Sequence, residues 1–517
     1  MKYWTLSLPI ARCALVFFVI PVSFVGNSMA VGGEDCDALL KRGEELLGEH
    51  QPEAARIPIL QVTKACPTNP RGYDLLGISY DSQDRFEEAQ QAFRKAIALA
   101  PRGAGFHNNL AISFAHSGKT GEAITEFQNA VRLDVHNEFA NGNLADYYVK
   151  EKNYRRALYY LRNARADQST DPSLVYELAQ AYFGAGETKP ALQTVARLWK
   201  LAPSDARIRF ALGLLLAQHD QYAGAVEQFE AVAVQERDFA VYQNLGLAYS
   251  KLGRLPEAQR AFEQALRLDP SNPEPYFGIG INLLAARSID QAIYPLSQAY
   301  DKAPQRVDIA CTLAEALIQG QDFSRAHDLL AEIRAKSPNN PIVVQTEGDL
   351  YRAQGQDSKA LESYRQILRY DPENVPARLR LAKVYLVLGQ TVEAKNEFKR
   401  VLKANPTNGD AHAGLGRIAL RAGQEDLALQ ELSRALREDP DELDANEDLA
   451  AIKSRRGQLA VAQTVLEKLV RLDPNNARYH YQLGRVLLKL GRVGEAQREF
   501  ARSQQIGVAK PKDTTEP

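Results

Sequence analysis

Between Phe239 and Asn272 the apolar positions fall on two short helical faces separated by a polar break. Tyr242, Leu245, Gly246 and Tyr249 stand at i, i+3, i+4 and i+7, the spacing of a single buried stripe on a helix. Gly253 follows, where a residue in the left-handed region can close that helix, and Pro256 sits where a second one opens. Ala258, Phe262 and Ala265 carry the stripe on until Pro270 stops it, because a proline ring clashes with the preceding helical turn. Gly246 and Ala258 are small enough for the two helices to approach closely, and Phe262 and Leu266 are expected to reach the neighbouring hairpin.

Steps of 34 residues from Pro270 land on Pro304, Pro338, Pro372, Pro406, Pro440 and Pro474. A fixed period of this length marks a stacked repeat, each unit burying the face its neighbour leaves open. The pattern predicts fourteen hairpins over residues 36–507, starting near 36, 70, 104, 138, 172, 206, 239, 273, 307, 341, 375, 409, 443 and 477. The unit at 206 has 33 residues, so the register steps once, near Arg237. In the unit at 138, Ser169 replaces the terminal proline, and its second helix is expected to end less sharply. The first unit carries Pro52 and Pro58 in its second-helix region and has one neighbour, so it is expected to be the least stable. In the last unit Ser503 and Gln504 replace apolar positions, as suits a terminal repeat, and residues 508–517 are polar and expected to be a disordered tail.

This arrangement of Tyr242, Leu245, Gly246, Tyr249, Ala258, Phe262, Ala265 and Pro270, repeated down the chain, resembles the tetratricopeptide repeat (TPR) family. The resemblance implies an all-α, right-handed superhelical solenoid whose first helices line a concave groove, with offsets 2, 5, 6, 9, 12 and 13 of each unit facing it. On that frame the groove positions include Asn109, Asn143 and Asn244, which in the family can bond the backbone of an extended peptide. They also include the apolar run Tyr176, Phe183, Phe210, Phe277 and Ile281, expected to grip apolar residues of a partner. Further along, Arg380, Lys383, Arg417, Arg421, Arg485 and Lys489 form a basic stretch suited to an acidic peptide or anionic polymer. The carboxylate clamp of chaperone-binding members is not matched, since Gly105, Ser173 and Glu177 stand where it needs basic residues.

Charge and composition narrow the function classes. The formal net charge is −1 and the pI about 6.7, which gives no bulk attraction for nucleic acid. Lys2 and Arg12 precede an apolar run from Cys13 to Val25, and Ser28, Met29 and Ala30 offer a small-x-small cleavage site. That is the layout of a signal peptide over residues 1–30, predicting an exported, periplasmic or secreted protein with no later membrane span. Cys36 and Cys66 open and close the first hairpin and are a candidate disulfide in such a compartment. The eight histidines are scattered, and no H-E-x-x-H, P-loop or G-x-S-x-G motif stands where its chemistry would need it. The reading is therefore a non-enzymatic adaptor without metal or cofactor that holds a partner polypeptide. Its alternative is a spacer tethered by an uncleaved N-terminal segment in an envelope or polysaccharide-export assembly.

Overall fold

The computed structural model describes residues 33–508 apart from Glu236. The expected signal peptide and all of the expected tail but Val508 lie outside them. The described residues form 28 helices and no strand, paired as fourteen antiparallel hairpins and numbered α1 to α28 in chain order. Two compact units divide at Pro270: the first holds the seven hairpins of residues 33–270, the second the seven of residues 271–508.

The hairpin of α13 (Phe239–Lys251) and α14 (Leu255–Leu268) shows why the sequence folds this way. Asp238 caps α13, its carboxylate accepting from the backbone N–H groups of Ala240 and Val241, which satisfies donors that the first turn leaves orphaned. Gly253 takes φ +72° and turns the chain. Pro256 lies in the first turn of α14, where its missing N–H is harmless. Ala258, Phe262 and Ala265 are each fully buried. Phe262 packs within its own hairpin. Its ring lies over Gly246 of its own hairpin, where a Cβ would come within 2.6 Å of it.

The same glycine-over-ring packing recurs sixteen residues apart at Gly77 and Phe93, Gly213 and Phe229, and Gly348 and Tyr364. Caps recur too: Asn69, Asn137, Asp171, Asp205, Asn272, Asn340, Asn374, Asn408 and Asn476 each accept from a first-turn N–H of the helix that follows.

Two irregularities follow from composition. The helix α8 (Tyr154–Asn163) is only ten residues long, against fourteen for α10 (Thr188–Leu201). It ends a turn early because Arg165 takes φ +52° and the Ala166 N–H turns back to the Leu161 carbonyl. In the first hairpin Pro58 lies inside α2 (Pro52–Ala65) without ending it, and Cys36 and Cys66 are joined by a disulfide with Cα atoms 6.6 Å apart.

Candidate partner-binding site

The expected groove offsets lie on the first helices, so the candidate site is built from α3 (Pro70–Asp81), α5 (Ala104–His116), α7 (Glu138–Lys150) and α9 (Pro172–Gly184) in the first unit. Asn109 is engaged: its Nδ2 donates to Asp74 Oδ1 at 2.8 Å. Burial pushes the Asp74 carboxyl up to about 6, against the opposing pull of that hydrogen bond and of Arg71. Arg71 Nε in turn reaches Glu44 Oε1 at 2.6 Å. Two turns further, His116 Nδ1 lies 2.7 Å from Asp81 Oδ2, and this contact raises the imidazole above its ordinary value. Successive first helices are thus stitched by polar pairs.

Asn143 differs from Asn109. It is half-buried and makes no hydrogen bond to another described residue. Phe139, on the same helix, is exposed, and Tyr176, on the next, is half-buried with its hydroxyl pushed up to about 12 by burial.

The rest of the expected apolar run is not a bare surface. Phe183 stacks on His219 with centroids 4.7 Å apart, and Phe210 packs on Phe229 at 5.7 Å. Asn244 is buried and spends its amide on the Ala240 carbonyl of its own helix. In the second unit Phe277 is buried beneath the Arg306 guanidinium, whereas Ile281 is 43% exposed. Offsets read from a helical wheel place these residues on the groove side, but repeats pack closely enough for large rings there to be covered by the next helix.

The expected basic stretch is likewise a ladder of pairs. Arg380 meets Asp349 at 3.0 Å, Lys383 meets Asp410 at 2.8 Å, and Arg417 meets Asp448 at 2.8 Å and Asp444 at 3.3 Å. Each pair runs from one repeat to a neighbour. The Arg421 guanidinium donates to the Leu386 carbonyl at 2.9 Å. Arg485 and Lys489 are exposed and have no carboxylate partner among the described residues.

One polar device has no counterpart in the sequence reading. At offset 4 of several first helices a side chain spans to offset 23 on the second helix of its own hairpin. His107 meets Glu126, His412 meets Glu431 and His480 meets Glu499, each at 2.6 Å. Arg378 meets Glu397 in the same way, also at 2.6 Å. The other ring nitrogen of His412 and of His480 faces the Pro406 and Pro474 carbonyls that end the preceding repeat, at 3.1 and 3.0 Å. The signal was a spacing of nineteen between a histidine or arginine and a glutamate, recurring within the 34-residue period.

Nothing in this geometry converges on a reacting atom, and no group of three or more metal-ligating side chains occurs among the described residues.

Comparison with known proteins agrees with the fold. The human DnaJ homolog subfamily C member 7 is 24% identical over 340 residues, covering 59% of this chain and 61% of that protein. The cellulose synthase operon protein C of Pseudomonas fluorescens (strain SBW25) is 23% identical over 402 residues, covering 64% of this chain and 31% of that protein. The chain therefore spans less than two thirds of either relative. Among solved structures, yeast Tom70 superposes with a TM-score of 0.43 at 15% identity, over 82% of this chain and 96% of that one. The tetratricopeptide repeat profiles match residues 75–135, 148–218, 239–272, 283–346, 351–401, 388–455 and 448–510. With matches along most of its length and the hairpin geometry above, the chain belongs to the tetratricopeptide repeat family.

Proposed function

We propose that this protein is a non-enzymatic adaptor of the cell envelope or secreted space that holds a partner polypeptide against its first-helix face. TPR proteins serve as protein-interaction scaffolds, and the observation that carries the reading here is Asn143. Its amide is unpaired on a face where the equivalent Asn109 is already spent on Asp74. An extended peptide backbone offers that amide the donor and acceptor it lacks, and Phe139 and Tyr176 flank it with apolar surface. Export is supported by the charged and apolar layout of residues 1–30 and by the Cys36–Cys66 disulfide, a bond that persists in oxidising compartments.

A photo-crosslinker placed at position 143, with position 125 on the outward side of α6 (Thr120–Leu133) as control, tests the face. Capture of one discrete partner from position 143 and not from 125 supports the adaptor. Capture from neither favours the tethered spacer. N-terminal sequencing separates the two again: a start near Val31 fits export with cleavage, and a start at Met1 fits the tether.

A further inference from the structure

Among the described residues, the second helix of every hairpin carries at least one aspartate or glutamate except in two, and those two are neighbours. They are α8, with the sequence YRRALYYLRN, and α10, with TKPALQTVARLWKL. Between them they hold Arg155, Arg156, Arg162, Lys189, Arg197 and Lys200 in a chain whose formal net charge is −1. The buried face of α8 is made by Ala157, Leu158 and Leu161, and that of α10 by Ala191, Val195 and Leu198. Two of the cations are engaged within the fold: Arg156 lies over the Tyr148 ring, 5.4 Å from its centroid, and Arg197 turns back to donate to the Ala166 carbonyl. Lys189 and Lys200 stand opposite the buried residues of α10, and Arg155 and Arg162 flank the buried residues of α8.

Arg155 and Lys189 occupy the same offset in successive repeats. Arg162 follows Arg155 by seven residues and Lys200 follows Lys189 by eleven, so each pair lies along one stripe of its helix, about 10 Å apart on α8 and about 16 Å apart on α10. All four are exposed and none has a carboxylate partner among the described residues, unlike the paired cations of the first-helix face. Tyr159 and Trp199 are also exposed, at 57% and 41%, as is Leu192 at 38%. The Trp199 ring keeps that exposure although the Arg209 guanidinium packs 5.6 Å from its centroid. At the helix ends Glu151, Asp167 and Glu187 are exposed, alongside Lys150, Lys152 and Arg165. The preceding second helix presents Glu122 and the following one Glu227, so the acid-free surface has edges.

We infer that this outward face of α8 and α10 docks the protein on the anionic surface of a lipid bilayer. The guanidinium groups of Arg155 and Arg162 match phosphate in planar, bidentate fashion, and the two lysines add compact point charges. Tyrosine and tryptophan settle at the headgroup level because one end of each ring is apolar and the other is wet. A soluble polyanion would need the cations alone. The exposed rings and Leu192 find apolar surroundings only where acyl chains begin. The attachment is peripheral: no described helix is long and apolar enough to cross a membrane.

The test is sedimentation of the mature protein, starting at Val31 and so lacking the apolar run and Trp4, with vesicles of phosphatidylglycerol and phosphatidylcholine, against phosphatidylcholine alone. Each cation near an anionic surface contributes about fivefold in partitioning. Arg162→Gln with Lys189→Gln together should thus weaken binding to the anionic vesicles by roughly thirtyfold, and about 0.5 M salt should weaken it similarly. Both substitutions lie on exposed positions, and an unchanged thermal midpoint by circular dichroism excludes misfolding. Trp199 is one of two tryptophans in the chain, so its emission should shift to the blue on anionic vesicles and Trp199→Phe should abolish the shift. Equal binding to both vesicle types, or binding that the double substitution leaves unchanged, overturns the inference. So does saturable binding of polyglutamate, a polyuronate or single-stranded nucleic acid without sedimentation on anionic vesicles.

Discussion

A methyl group added to Gly246 would sit 2.6 Å from the ring of Phe262, a side chain with no solvent exposure. Neither residue can yield alone, because the ring is enclosed by the hairpin that the glycine makes possible. Gly246→Ala should therefore destabilise its repeat through overpacking by about 1–3 kcal/mol. Pairing it with Phe262→Leu should recover part of the loss. Urea denaturation of the two single variants and the double measures this, and additive losses would show that the two sites do not share one space.

Nδ1 of His412 lies 2.6 Å from Glu431, and both side chains are buried. His412→Ala leaves the largely buried Glu431 carboxylate with only Arg434, at 2.8 Å, as a charged partner. The expected cost is about 2–4 kcal/mol, larger than for an exposed pair of the same length. His412→Leu with Glu431→Leu removes both polar groups and should cost less than the single change, a comparison thermal denaturation can make.

The period, the hairpin boundaries and the small-large alternation were legible because each repeat restates them: Tyr242, Gly246, Ala258 and Pro270 have counterparts down the chain. The fate of individual groove residues was not. Phe183 and Phe277 stand at offsets expected to face the groove, yet they are buried, Phe183 stacked on His219 and Phe277 beneath Arg306, and sequence spacing carries no information on how closely repeats stack. Part of the basic stretch is paired for a related reason. Arg380, Lys383 and Arg417 find partners 31, 27 and 31 residues away, across a repeat boundary that a reading within one helix does not see.

Asp74 gives the first unit a pH dependence of definite sign. Its folded value of about 6 lies above the ordinary carboxylate value of 3.8, chiefly through burial. The folded state therefore binds this proton more tightly than the unfolded one. The resulting penalty, about 3 kcal/mol at neutral pH, should shrink as pH falls through 6 and vanish below about 4. Asp74→Asn should flatten that part of the stability profile while keeping a hydrogen bond to Asn109 by an amide flip. Thermal midpoints of the two proteins between pH 4 and 7 make the comparison; parallel curves would show that the carboxyl is ionised at no cost.

The Cys36–Cys66 bond closes a loop with a sequence separation of 30 in the hairpin that has one neighbour. Chain-entropy arguments assign such a loop about 3–4 kcal/mol. Reduction should speed amide exchange in residues 36–66 well above that in residues 239–270, with the later repeats unaffected, as expected of an array stabilised by nearest neighbours. Cys311 provides an internal control: it is buried and its thiol is pushed up to about 11 by burial. It should stay unreactive to a thiol reagent in the native protein under both conditions.

The pair of Arg417 and Asp448 separates coupling from net stabilisation. At the arginine, burial opposes the charge, but Asp448 and then Asp444 outweigh it and hold the guanidinium above its ordinary value. At Asp448 the balance reverses: burial raises the carboxyl although Arg417 lowers it. The aspartate is thus the costly partner, and what the pair gains in attraction is largely spent on desolvating it. Arg417→Ala should cost roughly 1–3 kcal/mol by leaving that carboxylate unpaired. Arg417→Leu with Asp448→Leu should come close to the parent in stability, because the one charge left behind, Asp444, is exposed to water. A double-mutant cycle by urea denaturation should give a coupling of about 1–3 kcal/mol between the two positions. If it gives none, the ladder is surface decoration and its cations are free for an acidic partner after all; if the coupling is present, such a partner has to displace Asp448 from Arg417 before it can bind there.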